Sequence, residues 1–127
     1  MGIYRRFLDA ASRGSAIEAK RLCSPDVVLA TPLIQAWGAE VLHGHEGLED
    51  WIRRIDGEWA FLDARPLGAE QRNDWVRGHC IVRGRGKASS SEIEFELHHA
   101  VRFDGPRIAE FHAFLTPEGA SAKTDAR

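Results

Sequence analysis

The histidine at position 99 interrupts the apolar side of a strongly alternating segment. In Glu92–Phe103 every second residue is apolar except His99, and the intervening residues are mostly polar. This period of two predicts a β-strand with one buried face. An unperturbed imidazole titrates at about pH 6.5, so His99 could act as a general base or as a hydrogen-bond donor to a ligand. His99 is therefore the candidate catalytic residue.

Other histidines could bind a metal ion. The pairing of predicted strands places His79 opposite His98 on the outer face of the sheet, and two imidazoles could hold zinc. The same pairing puts His112 next to Ala100 rather than next to His98, so no third ligand is evident. The sequence therefore predicts neither a metal site nor a cofactor.

Opposite charges indicate how the later strands pair. Placing Arg83 opposite Glu94, and Arg102 opposite Glu110, aligns unlike charges across two successive hairpins. A shift of one residue would turn both apolar faces outward. Together with the preceding hairpin, these registers predict one row across the inner face of the sheet: Ala69, Gly78, His99 and Ala113.

The small residues in this row leave volume around the imidazole. Either helix side chains fill that volume or a cavity remains, and an apolar cavity with one polar group is typical of a small-ligand site. In the alternative, His99 bonds Thr31 or a backbone carbonyl within a packed core. The predicted pocket residues are Phe7, Thr31, Trp51, Ile55, Ala69, Gly78, Leu97, His99, Phe111 and Ala113.

Helical periodicity precedes the strands. Apolar spacing and a capping box at Ser15 and Glu18 predict three helices, at residues 3–13, 15–22 and 43–59. Strands are predicted at residues 27–31, 61–72, 75–86, 92–103 and 109–115, and residues 33–43 are expected to be irregular. This order predicts a single α+β domain over residues 1–116, with three N-terminal helices covering one face of a mainly antiparallel sheet. A flexible tail is expected over residues 117–127.

The composition fits one globular domain. The chain has 127 residues and a net charge of −2, which gives no reason to expect nucleic acid or an anionic membrane as a partner. No apolar run reaches the roughly 20 residues of a membrane span, and no signal peptide is recognisable. Cys23 and Cys80 are far apart, so a reduced, cytoplasmic protein is expected.

The outer face of the predicted sheet is unusually apolar for a surface exposed to water. We expect it to pack against a second copy of the chain and to form a homodimer. The residues of this predicted dimer face are Trp75, His79, Ile81, His98, His112 and Phe114.

Four segments carry a resemblance to a known family. These are Phe7–Gly14, Ser24–Pro32, His43–Trp51 and Ala100–Ile108. On them the chain resembles the SnoaL-like branch of the nuclear transport factor 2-like superfamily. The resemblance implies a cystatin-like cone, with three helices over a curved sheet, and a dimer. Because this scaffold hosts isomerases, cyclases, hydrolases and non-enzymatic binders, the resemblance does not assign a reaction.

The resemblance also implies where the catalytic groups of relatives would fall. The first-helix tyrosine of ketosteroid isomerase matches Phe7, its proton-shuttling aspartate matches Thr31, and its oxyanion-hole aspartate matches His99. The last-strand aspartate of SnoaL-type cyclases and limonene epoxide hydrolase matches Ala113. These replacements argue against the dienolate chemistry of ketosteroid isomerase and leave His99 as the titratable group.

Three functions are compatible with the sequence. The first is the binding of a small hydrophobic molecule in a pocket around His99. The second is an isomerase, cyclase or hydrolase with His99 as base or donor, which would be favoured by Asp26 or Glu40 pointing inward. The third is a dimeric interaction module without a ligand, which a filled core around His99 would favour.

Overall fold

The structure is a computed structural model that describes residues 2–125. It is an α+β fold, as predicted. The helices are α1 (Gly2–Ser12), α2 (Ala16–Leu22), α3 (Pro32–Ala36), α4 (Gly44–Glu58) and α5 (Pro117–Asp125). The strands are β1 (Cys23–Ala30), β2 (Leu42–His43), β3 (Trp59–Arg72), β4 (Trp75–Gly86), β5 (Ile93–Asp104) and β6 (Arg107–Phe114). Within the described residues, no helix is long and apolar enough to cross a bilayer.

The strands form one six-stranded sheet in the order β2-β1-β6-β5-β4-β3. Strands β1 and β6 run parallel, and the other neighbours are antiparallel. The predicted pairs of Arg83 with Glu94 and of Arg102 with Glu110 are confirmed. The structure therefore contains the predicted inner row: Ala69, Gly78, His99 and Ala113.

Helices α1, α2 and α4 cover the inner face of the sheet. Helices α1 and α4 each have an apolar stripe at helical spacing, which favours burial of one side. The predicted cap of α2 forms, because Ser15 Oγ accepts a hydrogen bond from the backbone N–H of Glu18. The carboxylate of Glu18 does not complete the capping box and instead pairs with Arg6 at 2.9 Å.

The segment expected to be irregular, residues 33–43, contains regular structure. Helix α3 begins at Pro32, and Thr31 caps it by accepting a hydrogen bond from the backbone N–H of Ile34. A threonine cap followed by proline is a favourable helix start. The prediction was wrong here because α3 is only five residues long, too short for an apolar period to be visible.

The tail expected to be flexible forms a helix as far as it is described. Helix α5 packs on the outer face of β4, β5 and β6, and Ala120 in its middle is fully buried. Two polar side chains of α5 contact arginines of the sheet. Ser121 accepts a hydrogen bond from Arg77, and Asp125 forms a salt bridge with Arg72. Its small and polar residues show no apolar stripe, so periodicity could not indicate it. The last two residues, 126–127, lie outside the described part.

Candidate functional site

A cavity of about 270 Å³ lies between the helices and the inner face of the sheet. Its wall is overwhelmingly apolar. Seven of the ten predicted pocket residues line it: Thr31, Trp51, Ile55, Leu97, His99, Phe111 and Ala113. The predicted strand register was the sequence feature that indicated residues of β5 and β6 in this wall.

The cavity extends further toward β3 and α3 than the sequence indicated. Additional walls come from α1, α3, β3 and the end of β6, including Leu8, Leu33, Trp59, Leu62 and Leu115. Leu115 lines the cavity and is 63% exposed, so the cavity opens to solvent beyond the end of β6. The wall from α3 was missed because this helix was not expected.

Three predicted pocket residues, Phe7, Ala69 and Gly78, do not line the cavity. The ring of Tyr4 in α1 occupies the space above Gly78, where a Cβ would lie 2.6 Å from Tyr4 Cζ. Phe7 lies behind the wall and stacks on Trp51 with ring centroids 6.0 Å apart. The row of small residues therefore makes room for a tyrosine at one end, and the cavity is displaced toward the other.

Tyr4 is the site residue that the sequence analysis missed. Its Oη lies 2.6 Å from His99 Nδ1, and the two rings meet edge to face. This bond replaces the expected alternative bond from His99 to Thr31 or to a backbone carbonyl. Tyr4 lies one helical turn before Phe7 and Leu8, so its place on the buried stripe of α1 was a usable signal.

His99 forms the closed inner end of the cavity. It is 1% exposed and packs against Phe111 with ring centroids 4.7 Å apart. Burial lowers the pKa of His99 to about 3, and the positive charge that His98 and His79 can carry acts in the same direction. Burial also raises the pKa of the Tyr4 phenol well above its usual range. Both partners of this hydrogen bond are therefore neutral at pH 7.

No acidic side chain joins His99 in the wall formed by residues 2–125. Asp26 and Glu40, which could have supported an enzyme, are both exposed. Cys80 does line the cavity, but burial raises the pKa of its thiol to about 11, so it stays protonated and a poor nucleophile. A neutral imidazole with a pKa of about 3 is also a very weak base.

The outer face brings the predicted histidines together without forming a metal site. The rings of His79 and His98 stack with centroids 5.8 Å apart. Among residues 2–125, no group of three His, Cys, Asp or Glu side chains could hold a metal ion. His112 bonds Glu110 at 2.9 Å, two strands away from His79.

Helix α5 covers part of the predicted dimer face. Lys123 lies over the ring of Trp75, and Gly119 packs directly against Phe114. His112 is buried beside these residues. Helix α5 thus accounts for part of the apolar outer face within one chain. The predicted dimer-face residues other than His112 are all half-buried: Trp75, His79, Ile81, His98 and Phe114.

The family model of the SnoaL-like domain matches residues 4–111. Because this match spans most of the chain, the protein belongs to the SnoaL-like domain family. The predicted resemblance is therefore confirmed. No curated protein matches the chain in sequence.

Solved structures confirm the nuclear transport factor 2-like fold. A protein with a ketosteroid isomerase-like fold from Catenulispora acidiphila, in complex with trimethylamine, has a TM-score of 0.80 at 17% identity, covering 98% of this chain and 93% of that one. TerC co-crystallised with polyporic acid has a TM-score of 0.77 at 10% identity, covering 98% and 97%. A proposed polyketide cyclase from Xanthomonas campestris has a TM-score of 0.76 at 10% identity, covering 97% and 94%. At these identities the likeness establishes the fold alone.

Proposed function

We propose that this protein binds a small hydrophobic molecule in the cavity that ends at His99. The observation that carries the proposal is the apolar wall, which holds one buried imidazole at its inner end and opens to solvent near Leu115. The volume of about 270 Å³ is close to the lower end of small-molecule sites. The trimethylamine and polyporic acid complexes of two structural neighbours support a small-molecule role for this fold.

Binding without catalysis fits the wall better than acid–base catalysis. General acid–base chemistry needs a group whose pKa lies near the working pH. The pKa of His99 is about 3, and the cavity wall of the described residues has no carboxylate. An open cavity also disfavours the interaction module without a ligand, since that reading expects a filled core around His99.

An isomerase or cyclase is the second candidate, and the Tyr4–His99 hydrogen bond is the observation that favours it. A buried neutral donor held in place by a second hydrogen bond can stabilise negative charge that develops on a substrate oxygen. In such an enzyme His99 would act as a donor and not as a base. Turnover of any compound that binds would distinguish this candidate from a binding protein.

A thermal-shift screen with steroids, terpenoids and polyketide-like aromatic compounds tests the proposed function. A ligand present at about a hundred times its dissociation constant should stabilise the native state by about 2.7 kcal/mol. The blocking variant is Ala113→Leu, because Ala113 lines the cavity in the strand next to His99. The matched control is Ala60→Leu, since Ala60 is exposed and lies outside the cavity.

Stabilisation of the wild type and of Ala60→Leu, but not of Ala113→Leu, would support binding in the cavity. Equal stabilisation of all three proteins would place the ligand elsewhere and contradict the proposal. A screen in which no hydrophobic compound stabilises the wild type would also count against it.

A further inference from the structure

We propose that the ligand carries an unbranched hydrocarbon chain, which lies in the outer half of the cavity and extends past Phe95 toward solvent. The outer half is the part that is lined by Leu62, Ala64, Val82 and Phe95. This inference rests on the proposed function and specifies its ligand class. It is carried by three properties of the cavity: its length along the strands, the types of side chain in its wall, and the apolar residues exposed where it ends.

The cavity is elongated along the strands. On β5 it is lined by three successive residues of the inner face: His99, Leu97 and Phe95. On β3 it is lined by Leu62, which pairs with Gly84, and Gly84 pairs in turn with Ile93 of β5. Positions 93 and 99 are six residues apart in β5, which corresponds to roughly 20 Å at about 3.4 Å per residue. The cavity therefore extends roughly this far from the level of His99.

A cavity of this length with a volume of about 270 Å³ is a narrow slot and not a rounded chamber. Its floor follows a sheet whose strands twist. An unbranched chain can follow the twist by rotation about its single bonds, whereas a rigid fused-ring system keeps its own shape. The form of the slot therefore favours a flexible chain in the outer half.

The wall of the slot offers little to a polar ligand. Among residues 2–125, no charged or amide side chain lines the cavity. The hydroxyl oxygens of Thr31 and Ser12 already accept hydrogen bonds from the backbone N–H groups of Ile34 and Ala64. Polar groups spread along a ligand would lose their hydration here without adequate replacement. The part of the ligand within the slot is therefore hydrocarbon, and a polar group belongs at one end of the chain.

Burial of the inner face of β5 decreases toward its outer end. His99 is 1% exposed, Phe95 is half-buried and Ile93 is 43% exposed. Because alternate residues of a strand share one face, Ile93 continues the apolar face beyond Phe95. Leu115 and Ala36, which line the cavity, are exposed as well. A hydrocarbon chain on this face would remove apolar surface from water, which is favourable.

The affinities of three primary alcohols, 1-hexanol, 1-octanol and 1-decanol, test this inference. Their dissociation constants are measured by titration calorimetry at pH 7. A methylene group that is transferred completely from water into an apolar site increases the affinity about fourfold. Because the outer half is partly open, we expect about twofold per methylene group, and at least about tenfold between 1-hexanol and 1-decanol.

Two alanine-to-leucine variants obstruct the two halves of the cavity. Ala113→Leu narrows the inner end beside His99 and should weaken the binding of all three alcohols. Ala64→Leu narrows the outer half. It should leave the affinity for 1-hexanol nearly unchanged and remove most of the gain from 1-hexanol to 1-decanol. The matched control is Ala60→Leu in the same strand but outside the cavity, which should keep the full gain.

The outcomes separate the inference from the proposed function. The inference is overturned if the affinity of the wild type stops rising after 1-hexanol, or if Ala64→Leu keeps the full gain for 1-decanol. It is also overturned if the alcohols do not bind while a compact compound from the thermal-shift screen does. In each of these cases, binding of that compact compound and its loss in Ala113→Leu would still support the proposed function. If neither the alcohols nor any compound of the screen binds, both proposals fall.

Nuclear Overhauser effects between ligand and protein locate the chain directly. In the complex of the wild type with 1-decanol, we expect contacts between methylene protons of the chain and ring protons of Phe95. These contacts should be weaker or missing with 1-hexanol, which is too short to fill both halves. A bound 1-decanol without contacts to Phe95 would place the chain elsewhere and overturn the inference.

Discussion

The ring of Tyr4 lies directly on the backbone of Gly78. A Cβ added at position 78 would lie 2.6 Å from Tyr4 Cζ and 2.7 Å from Tyr4 Oη. Gly78 pairs with His99 on the neighbouring strand, so the glycine leaves the space from which Tyr4 reaches the imidazole. The contact between an inner-face glycine and a first-helix tyrosine therefore sets the inner end of the cavity.

Gly78→Ala should destabilise the protein. The new methyl group would overlap the buried ring of Tyr4, and overpacking of this kind typically costs about 1–3 kcal/mol. Urea denaturation gives the change in the free energy of unfolding. The matched control is Gly57→Ala in α4, where a Cβ would have no neighbour within 4 Å. Alanine at this helical position should be neutral or slightly stabilising, so a similar loss in both variants would contradict the packing argument.

Tyr4→Phe should also lower the free energy of unfolding, but through the loss of a hydrogen bond. It removes the hydroxyl that donates to His99 Nδ1 and leaves a buried ring nitrogen unpaired, at a cost of about 1–3 kcal/mol. The double variant Tyr4→Phe/His99→Leu leaves no unpaired group. Its loss of unfolding free energy should therefore be smaller than the sum of the losses in Tyr4→Phe and His99→Leu. Urea denaturation of all four proteins measures the coupling. Strictly additive losses would show that the two side chains do not stabilise each other.

Charge and periodicity were sufficient to predict the antiparallel strands β3 to β6, but not strand β2, the pairing of β1 with β6 or all of the site. Pairs such as Arg83 with Glu94 fixed the register, and the register placed His99 in a row of small residues. Whether that row faces a cavity or a side chain depends on how α1 crosses the sheet. No local sequence pattern predicts this crossing. Tyr4 was overlooked for this reason, although it lies on the buried stripe of its helix.

The elements that could not be predicted are short or lack an apolar stripe. Helix α3 has five residues, and the only sequence feature that indicated it was the capping residue Thr31 followed by Pro32. Helix α5 consists of small and polar residues, and it is stabilised by contacts with distant strands, such as that of Gly119 with Phe114. Contacts of this kind depend on the folded sheet and leave no periodic trace in the sequence.

Ile81 offers a test of the predicted homodimer. Helix α5 covers part of the outer face, and His79, Ile81 and His98 beside it are half-buried, so we propose that a second copy packs around these three residues. Ile81→Asp would place a charge in that contact and should convert a dimer into a monomer in sedimentation velocity. The control is Ile17→Asp, because Ile17 is 68% exposed on α2, away from the sheet. A monomeric wild type, or dissociation in the control as well, would contradict this interface.

The stability of the protein should fall as the pH decreases from about 6.5. In the unfolded chain His99 binds a proton at its ordinary pKa of about 6.5. In the folded protein burial lowers the pKa of His99 to about 3. Between these values the unfolded state binds more protons, so the contribution of His99 is fully present above about pH 6.5 and is lost on acidification. The neighbours Tyr4 and Cys80 stay neutral there, since burial raises their pKa values.

The variant His99→Leu should show a smaller slope of unfolding free energy against pH. One buried neutral imidazole contributes up to about 1.4 kcal/mol per pH unit, and urea denaturation at pH values from 4.5 to 7.5, a range of about three units, resolves such a slope. His112 provides a comparison, because burial lowers its pKa while its bond to Glu110 acts in the opposite direction. We therefore expect His112→Asn to reduce the slope by less than His99→Leu does. An unchanged slope in His99→Leu would mean that the folded protein protonates His99 as readily as the unfolded chain does, and the imidazole at the end of the cavity could then be a charged group.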